Sequence, residues 1–493
     1  MYTEKCELVT VNPIIQHPKP TIELEQVSRI GLFERQSRLI GKSLTHLKMA
    51  TFVCELYKER IHWVVEWHSW VKLNADSIWE KVDECEIKRL IIECLEQLRA
   101  YQKSKYTQGG AVSLEELKEI ERAGSAGFIN GTESVLKNLE NIAISCSVFD
   151  AAPLIAGMKE GDLYNLENNT YRRIEPTDYL TKHIFANFDN DSECPLWEKS
   201  INEWCNGDQQ LVEFLQTFCG YSLSGLTTFQ GFLFLTGDGK NGKSVFVKVI
   251  STLIGKYATG IQSETLMQQK KSSGAASGDI ARLAGVRFAT AQEIAEGSFF
   301  DENLLKQLTG GDLVIARHLY QSDFEFTPCL KLIISGNHRP IVKGTDNGFW
   351  RRMHLIPFNA TITNPDSQLT EKLLGEINGI LNWCLIGWKR YQSEGIKVPD
   401  IIKNESKAYR DDMDLLAQWK NECVIEKVGS KVTAITLYQS YKDWAAINGY
   451  QPLTRNSFGR NAKRLLGEPK RSNQGMHYEN YQQMYSSHVY VGA

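Results

Sequence analysis

The sequence predicts a multidomain α+β protein: a mainly helical first part, an α/β domain around a parallel sheet, and a small C-terminal module of winged-helix form. Three observations carry this. The chain has 493 residues, room for about three domains at ~150 residues each. From Gln230 to about Phe358, short apolar runs alternate with helical patterns, as in βα units over a mainly parallel sheet. Beyond a break near Pro399, the pattern restarts at Leu415 as short helices and a basic, hairpin-like end.

Composition narrows the function classes. Hydrophobic residues are 42% and charged residues 23%, which supports several cores and excludes a disordered chain. Lys+Arg is 56 against Asp+Glu 59, a net charge of −3, so any nucleic-acid surface must be a local patch. The 11 cysteines include no C-x-x-C pair. That argues for free thiols in a reducing cytoplasm, against a disulfide framework or a clustered zinc site. MYTEKCELVTVNPIIQ has neither the basic start nor the apolar core of a secretory signal. No apolar run reaches the ~18 residues of a membrane span, so no membrane partner is expected.

The elements follow in order. Residues 1–44 read as an extension, extended around Pro13, Pro18 and Pro20 and then a basic helix. Residues 45–225 read as a mainly helical pre-domain. Its opening holds Tyr57, Trp63, Trp67, Trp70 and Trp79; a small aromatic core with strands is expected there, a base-stacking surface being the alternative. In IKRLIIECLEQLRAY, Leu90, Ile91, Cys94, Leu95 and Leu98 form one helical stripe. Leu163 to Pro176 reads as a hairpin turning at Asn168-Asn169, and Leu211 to Gly225 as an amphipathic helix with a glycine after it. Residues 226–375 form the α/β domain, 376–414 a helical linker, and 415–493 the winged helix.

The strongest local signal is GFLFLTGDGKNGKSVFVKVISTLIG. Gly237, Asp238, Gly239, Lys240, Asn241, Gly242, Lys243 and Ser244 fit G-x-x-x-x-G-K-[ST] between an apolar strand, Phe232 to Leu235, and a helix from Val245. Glycines let such a loop wrap so that backbone N–H groups face phosphate oxygens, and the helix N-terminus adds its positive dipole end. Lys243 is placed to neutralise phosphate charge and Ser244 to hold Mg²⁺. Downstream, VRFATAQEIAEG reads as a strand ending in acid, with Glu293 the carboxylate to polarise water or orient Mg²⁺ and Glu296 next in line. In LKLIISGNHRP a buried-type strand ends at Gly336-Asn337, where an amide can bond both a water and a phosphate. GTDNGFWRRMHLIPF sets Arg351 and Arg352 just before a last strand.

In order and spacing these pieces resemble the superfamily 3 helicases, a subgroup of AAA+ proteins, and within them the phage/plasmid primase–helicase family related to the poxvirus-type primase–helicase. GDGKNGKS, Glu293 with Glu296-Gly297, KQLTGGD from Lys306, ARHLYQ from Ala316, SGN and GTDNGFWRR with IPF carry the likeness. FDAAPLIAGMKEGDLYNLENNTYRRIEPTDYLTKHI and WCNGDQQLVEFLQTFCGYSLSG resemble the family's helical pre-domain. The resemblance implies an AAA+ domain using ATP and Mg²⁺, with Lys243, Glu293, Asn337, Arg351 and Arg352 as its catalytic set. One of the two arginines is then a finger reaching a neighbour's nucleotide. It also implies a hairpin from Asp312 to Phe326 that grips DNA in the channel of a homo-oligomeric, hexameric ring, through Arg317, His318 and Tyr320, with Lys306 a further contact. Two departures stand out: a single acid, Glu293, follows Ala291-Gln292 where many relatives have a pair, and only residues 1–44 precede the pre-domain where many carry a priming domain. Primer synthesis is therefore not expected.

Near the end, Arg460, Lys463 and Arg464 share one helix face while Phe458, Ala462 and Leu465 share the other, as a DNA-docked helix requires. A docking module for protein is the alternative there. Ser472 to Tyr481 reads as the wing. Together these features predict an ATP-dependent, ring-forming DNA helicase on single-stranded and forked DNA, replicating a phage, satellite, prophage or plasmid in a bacterial cytoplasm, with a separate primase or initiator as a further partner. A primase–helicase with priming activity, or an origin-binding or defence ATPase switch that does not translocate, are the alternatives.

Overall fold

A computed structural model describes residues 43–109, 112–268, 278–317, 323–342, 347–450, 452–473 and 475–484. The extended start and basic helix expected before residue 43 lie outside the described residues.

Helix α1 (His46–Tyr57) starts where the Thr45 hydroxyl accepts from Lys48 N at 3.3 Å, filling one of the free N–H groups of a helix start. Strands β1 (Ile61–Val64), β2 (Ser69–Leu73) and β3 (Trp79–Val82) follow, then helices α2 (Glu84–Thr107), α3 (Leu114–Arg122) and α4 (Ala126–Leu136), and β4 (Ala143–Ile144). The sheet order is β3-β2-β1-β4, with β4 parallel to β1. The predicted stripe of α2 is buried over its whole length. The aromatics are core: Trp70 and Trp79 are buried, Trp63 meets Trp70 edge to face at 5.5 Å, and Trp70 Nε1 donates to Glu133 at 2.7 Å. This region is therefore mixed α and β, because its tryptophans need a sheet face to cover them.

A second small sheet joins β5 (Ile155–Gly157), β6 (Asp162–Asn165) and β7 (Thr170–Arg173). The β6–β7 pair is the predicted hairpin: Asn165 faces Thr170, and Asn169 turns with φ 56°. Helices α5 (Pro195–Trp204) and α6 (Gln209–Ser222) then lead into the α/β domain.

There, β8 (Phe232–Thr236), α7 (Lys243–Ile254), β9 (Ala258–Gly260), α8 (Gly278–Ala281), β10 (Phe288–Gln292), α9 (Glu302–Gly310), β11 (Val314–Arg317), β12 (Asp323–Phe326), β13 (Lys331–Ser335), α10 (Asn347–Trp350) and β14 (Met353–Pro357) follow in turn. Five strands form an all-parallel sheet ordered β14-β8-β13-β10-β9. The late strand β13 is thus inserted between β8 and β10. Both faces are covered. Leu233, Leu235, Ile333 and Ile356 point into one core, and Phe232, Phe234, Leu332, Ile334 and Leu355 into the other. Two-sided burial explains why β8 and β13 read as unbroken apolar runs.

The first of these cores does not stop at residue 226. It takes in Trp197 and Trp204 from α5 and Phe218 from α6. It also takes in Trp383 and Trp388 from the later helix α12 (Ile377–Glu394), which follows α11 (Leu369–Gly375). The stretch expected as a helical linker is therefore core for much of its length, since α12 lies along α6. Helix α13 (Asp400–Met413) packs on β14, where Ser406 Oγ accepts from Leu355 N at 2.9 Å.

The C-terminal unit runs α14 (Leu415–Cys423), β15 (Val424–Thr433), α15 (Ala434–Ile447), α16 (Arg455–Leu466), β16 (Lys470–Ser472) and β17 (Gly475–Gln483), with sheet order β15-β17-β16. It has its own core around Trp419, Tyr441, Trp444, Phe458 and Tyr478. No described helix is long and apolar enough to cross a membrane.

Candidate functional site

The loop from Gly237 to Gly242 leaves the C-terminal end of β8 and delivers Lys243 and Ser244 to the first turn of α7. Gly237 and Gly242 have φ 151° and 88°. A Cβ on Gly237 would sit 2.2 Å from the Phe358 carbonyl, and one on Gly242 would lie 2.4 Å from the Trp204 ring. Glycine is required at both by space as well as by dihedral. Asp238, Gly239 and Lys240 are exposed at the loop tip, and Lys240 itself turns with φ 49°. Lys243 is buried and folds back on the loop, its Nζ donating to the Gly237 carbonyl at 2.6 Å and to Asn241 Oδ1 at 3.1 Å. Asn241 Nδ2 in turn donates to the Phe358 carbonyl at 2.7 Å, just past β14. Burial holds the Lys243 ammonium below the ordinary lysine range, with Asp238 opposing that shift.

The register brings the other predicted groups of this edge beside the loop. Ser335 at the end of β13 pairs with Leu235 of β8 on one side and Gln292 of β10 on the other. Glu293 follows Gln292 directly, exposed, with φ 59° and its N–H donating to the Ser335 carbonyl at 3.2 Å. Asn337 follows Gly336, also exposed. Phosphate loop, amide and carboxylate therefore leave three adjacent strand ends, spaced at ~4.8 Å per strand. The Ser244 hydroxyl and Glu293 carboxylate are exposed oxygen donors, which fits Mg²⁺, an ion that takes one or two protein oxygens and fills its shell with phosphate and water.

The opposite edge carries the arginines. Arg351 and Arg352 precede β14, and the Arg352 carbonyl accepts from Phe232 N at 2.8 Å at the start of β8. Roughly 15 Å of strand separates them from their own phosphate loop, well beyond one side chain. Arg352 is buried and donates to the Gly348 carbonyl at 2.7 Å, whereas Arg351 is exposed. Both donate to one acceptor, Gln230 Oε1, at 3.2 and 3.3 Å. The β11–β12 hairpin springs from the same side. Val314 and Ala316 face the core while Leu313 and Ile315 are exposed, and Arg317 pairs with Asp323 at 3.6 Å near its tip. His318 and Tyr320 lie outside the described residues. Lys306 sits half-buried on α9, which leads into the hairpin.

Family models match three stretches: D5 N terminal like over residues 50–206, a family of unknown function (DUF5906) over 235–352, and poxvirus D5 protein-like over 411–492. One relative, named "Putative helicase L207/L206" in Acanthamoeba polyphaga mimivirus, is 24% identical over 473 residues, covering 87% of this chain and 48% of its own. Another, "Putative primase C962R" of African swine fever virus, is 22% identical over 236 residues, covering 43% of this chain and 24% of its own. Two of the three models thus make the chain similar to poxvirus D5-type proteins at both its ends. The chain spans about half the length of the first relative and about a quarter of the second. Among solved structures, "The A form apo structure of NrS-1 C terminal region-CTR" superposes with TM-score 0.48 at 10% identity, over 85% of this chain and 96% of that one.

Within the stretch matched by the poxvirus D5-like model, α16 buries Phe458, Ala462 and Leu466 and exposes Arg460, Lys463 and Arg464. Leu465, expected on the apolar face, is half-buried, and Leu466 takes the core position. Lys463 pairs with Glu468 at 2.9 Å and Arg464 with Asp414 at 2.5 Å. Exposed pairs of this kind are weak, so a phosphate can compete for both cations. Sequence reasoning missed Gln230, Trp204 and Phe358 because each acts through a partner far along the chain. Only Gln230 left a local trace, a polar residue just ahead of a core strand.

Proposed function

We propose that this chain is an ATP-driven DNA helicase of superfamily 3 type that works as a ring, with ATP held between copies. The observation that supports it is the division of labour between the two sheet edges. One edge presents loop, amide and acid, and the other presents an exposed guanidinium that cannot reach its own loop. A heterologous contact, edge to edge, joins the two and closes into a ring when the rotation allows, a hexamer in the form we propose.

In this reading Lys243 leaves its loop carbonyl for the β- and γ-phosphates, and backbone N–H groups of residues 237–244 cradle them. Mg²⁺ neutralises phosphate charge when bound, with Ser244 and Glu293 as the protein's oxygen donors. Glu293 takes a proton from the attacking water, and Asn337 orients that water against the γ-phosphate. Arg351 of the neighbouring copy stabilises the charge that develops there, while Arg352, buried, braces the segment. The hairpin, with Arg317, His318 and Tyr320, and Lys306 at its base, follows a single strand by charge and stacking. The α14–β17 unit has the element order of a winged helix, and α16 presents Arg460, Lys463 and Arg464 to duplex phosphates.

The test is ATP hydrolysis with and without single-stranded DNA, run beside displacement of a strand from a forked duplex. Stimulated hydrolysis with displacement is expected. Hydrolysis without displacement would favour a switch that does not translocate, and no hydrolysis at all would remove the proposal.

A further inference from the structure

Gln230 stands just ahead of β8, at the edge that carries the arginines. Its amide makes three contacts to two different elements. Oε1 accepts from Arg351 Nη2 at 3.2 Å and from Arg352 Nη2 at 3.3 Å, while Nε2 donates to the Gly310 carbonyl at 3.2 Å. The amide's orientation is forced. A guanidinium only donates, so the oxygen must face the arginines, and a carbonyl only accepts, so the nitrogen must face Gly310.

Those two sides lead to different places. Gly310 ends α9, Gly311 turns the chain with φ 76°, and Leu313 enters the hairpin. Gln307 Nε2 donates to the Leu313 carbonyl at 3.1 Å, so the last turn of α9 and the hairpin base are tied together. On the other side Arg352 is anchored to the Gly348 carbonyl, while Arg351 is exposed beside it. One amide therefore bridges the root of the hairpin and the exposed guanidinium. Bonds from a charged donor are roughly twice as strong as neutral ones, so the arginine side holds more firmly than the Gly310 side. Displacing the hairpin root would pull on that amide.

We propose that Gln230 is a positioning residue that couples the hairpin to Arg351, so that strand engagement sets where the guanidinium lies against a neighbour's nucleotide. This rests on the helicase reading above. Two variants separate the two sides of the bridge. Gln230→Glu keeps, and strengthens, the acceptor for both arginines but has no donor for Gly310. Gln230→Met has similar length and neither function. The residue is exposed, so both variants should fold, which thermal melting checks.

ATP hydrolysis is measured with and without single-stranded DNA for wild type and both variants, and nucleotide-free DNA affinity by fluorescence anisotropy. In Gln230→Glu the ratio of stimulated to basal rate should fall roughly 10- to 100-fold, the scale of an ångström-level misplacement, while DNA affinity stays at the wild-type value. Gln230→Met should lose stimulation and basal rate together. A wild-type stimulation ratio in Gln230→Glu overturns the coupling and leaves the helicase reading standing. A wild-type chain that DNA does not stimulate removes the helicase reading, and the coupling falls with it.

Discussion

In the proposed mechanism, Lys243 and Glu293 are the single side chains that carry the most. The Lys243 ammonium is committed to its own loop through the Gly237 carbonyl and Asn241 Oδ1. Phosphates must therefore offer it more than those neutral acceptors do, which charge-assisted bonds can. Lys243→Ala should abolish hydrolysis, read as phosphate release. Glu293 holds φ 59°, a conformation that costs a non-glycine residue of order 1 kcal/mol. Glu293→Gln should bind ATP as wild type does but lose roughly 10²–10⁴ in turnover, the scale of a general base. Binding is read by fluorescent-nucleotide titration; full turnover would move the role to Glu296. The loop itself was legible in the sequence, because glycine dihedrals and a lysine beside a helix start are local properties. Trp204 against Gly242 was not: those residues meet only after α5 folds back on the loop.

Among elements, the α6–α12 pair decides how the pre-domain joins the sheet. Helix-internal glycines usually mark weakness. Here they allow contact: a Cβ on Gly387 would lie 2.0 Å from the Gln216 carbonyl, and one on Gly220 would lie 2.3 Å from the Cys384 carbonyl. Gly387→Ala must push the helices apart and should cost ~1–3 kcal/mol, the range of core overpacking, seen as a lower Tm. Strand β13 begins with a second constraint. Lys331 is buried, donates to the Ser224 carbonyl and, at 3.2 Å, to the Cys329 carbonyl, and lies 4.6 Å from the Tyr221 ring centre. Burial pushes its pKa down to about 7, from an ordinary value of 10.5. Between those values the unfolded chain binds the proton and the folded one does not, so stability rises with pH. Below about 7 both states are charged and the burial cost is present in full. The stability difference between wild type and Lys331→Met should therefore shift toward wild type as pH rises from about 7 to about 10, followed by urea unfolding. A flat difference would mean the ammonium stays charged in the fold. An apolar strand was readable from LKLIIS, but no local pattern marks the lysine at its head as buried.

At the scale of the whole molecule, the proposed ring makes hydrolysis a question of copies. Lys243→Ala chains and Arg351→Ala chains should each be nearly inactive, since a finger is worth ~10³–10⁵ in rate. Mixed together they should regain partial hydrolysis, because some contacts then pair an intact loop with an intact guanidinium. Wild-type specific activity should rise with protein concentration. A rate independent of concentration, with no recovery on mixing, would place the whole site in one chain. By itself the sequence determined what is local: the glycine-rich loop before α7, the strand that leads to Glu293, and the basic and apolar faces of α16. Each rests on periodicity or on a few adjacent dihedrals, whereas the hairpin around Arg317 came only from the family resemblance. Strand order was settled only in three dimensions. With β13 inserted between β8 and β10, Asn337 lies between loop and acid, and Arg351 is left at the far edge beside Gln230. Pairings between strands so far apart along the chain depend on which faces bury which, and no single window of residues contains that information.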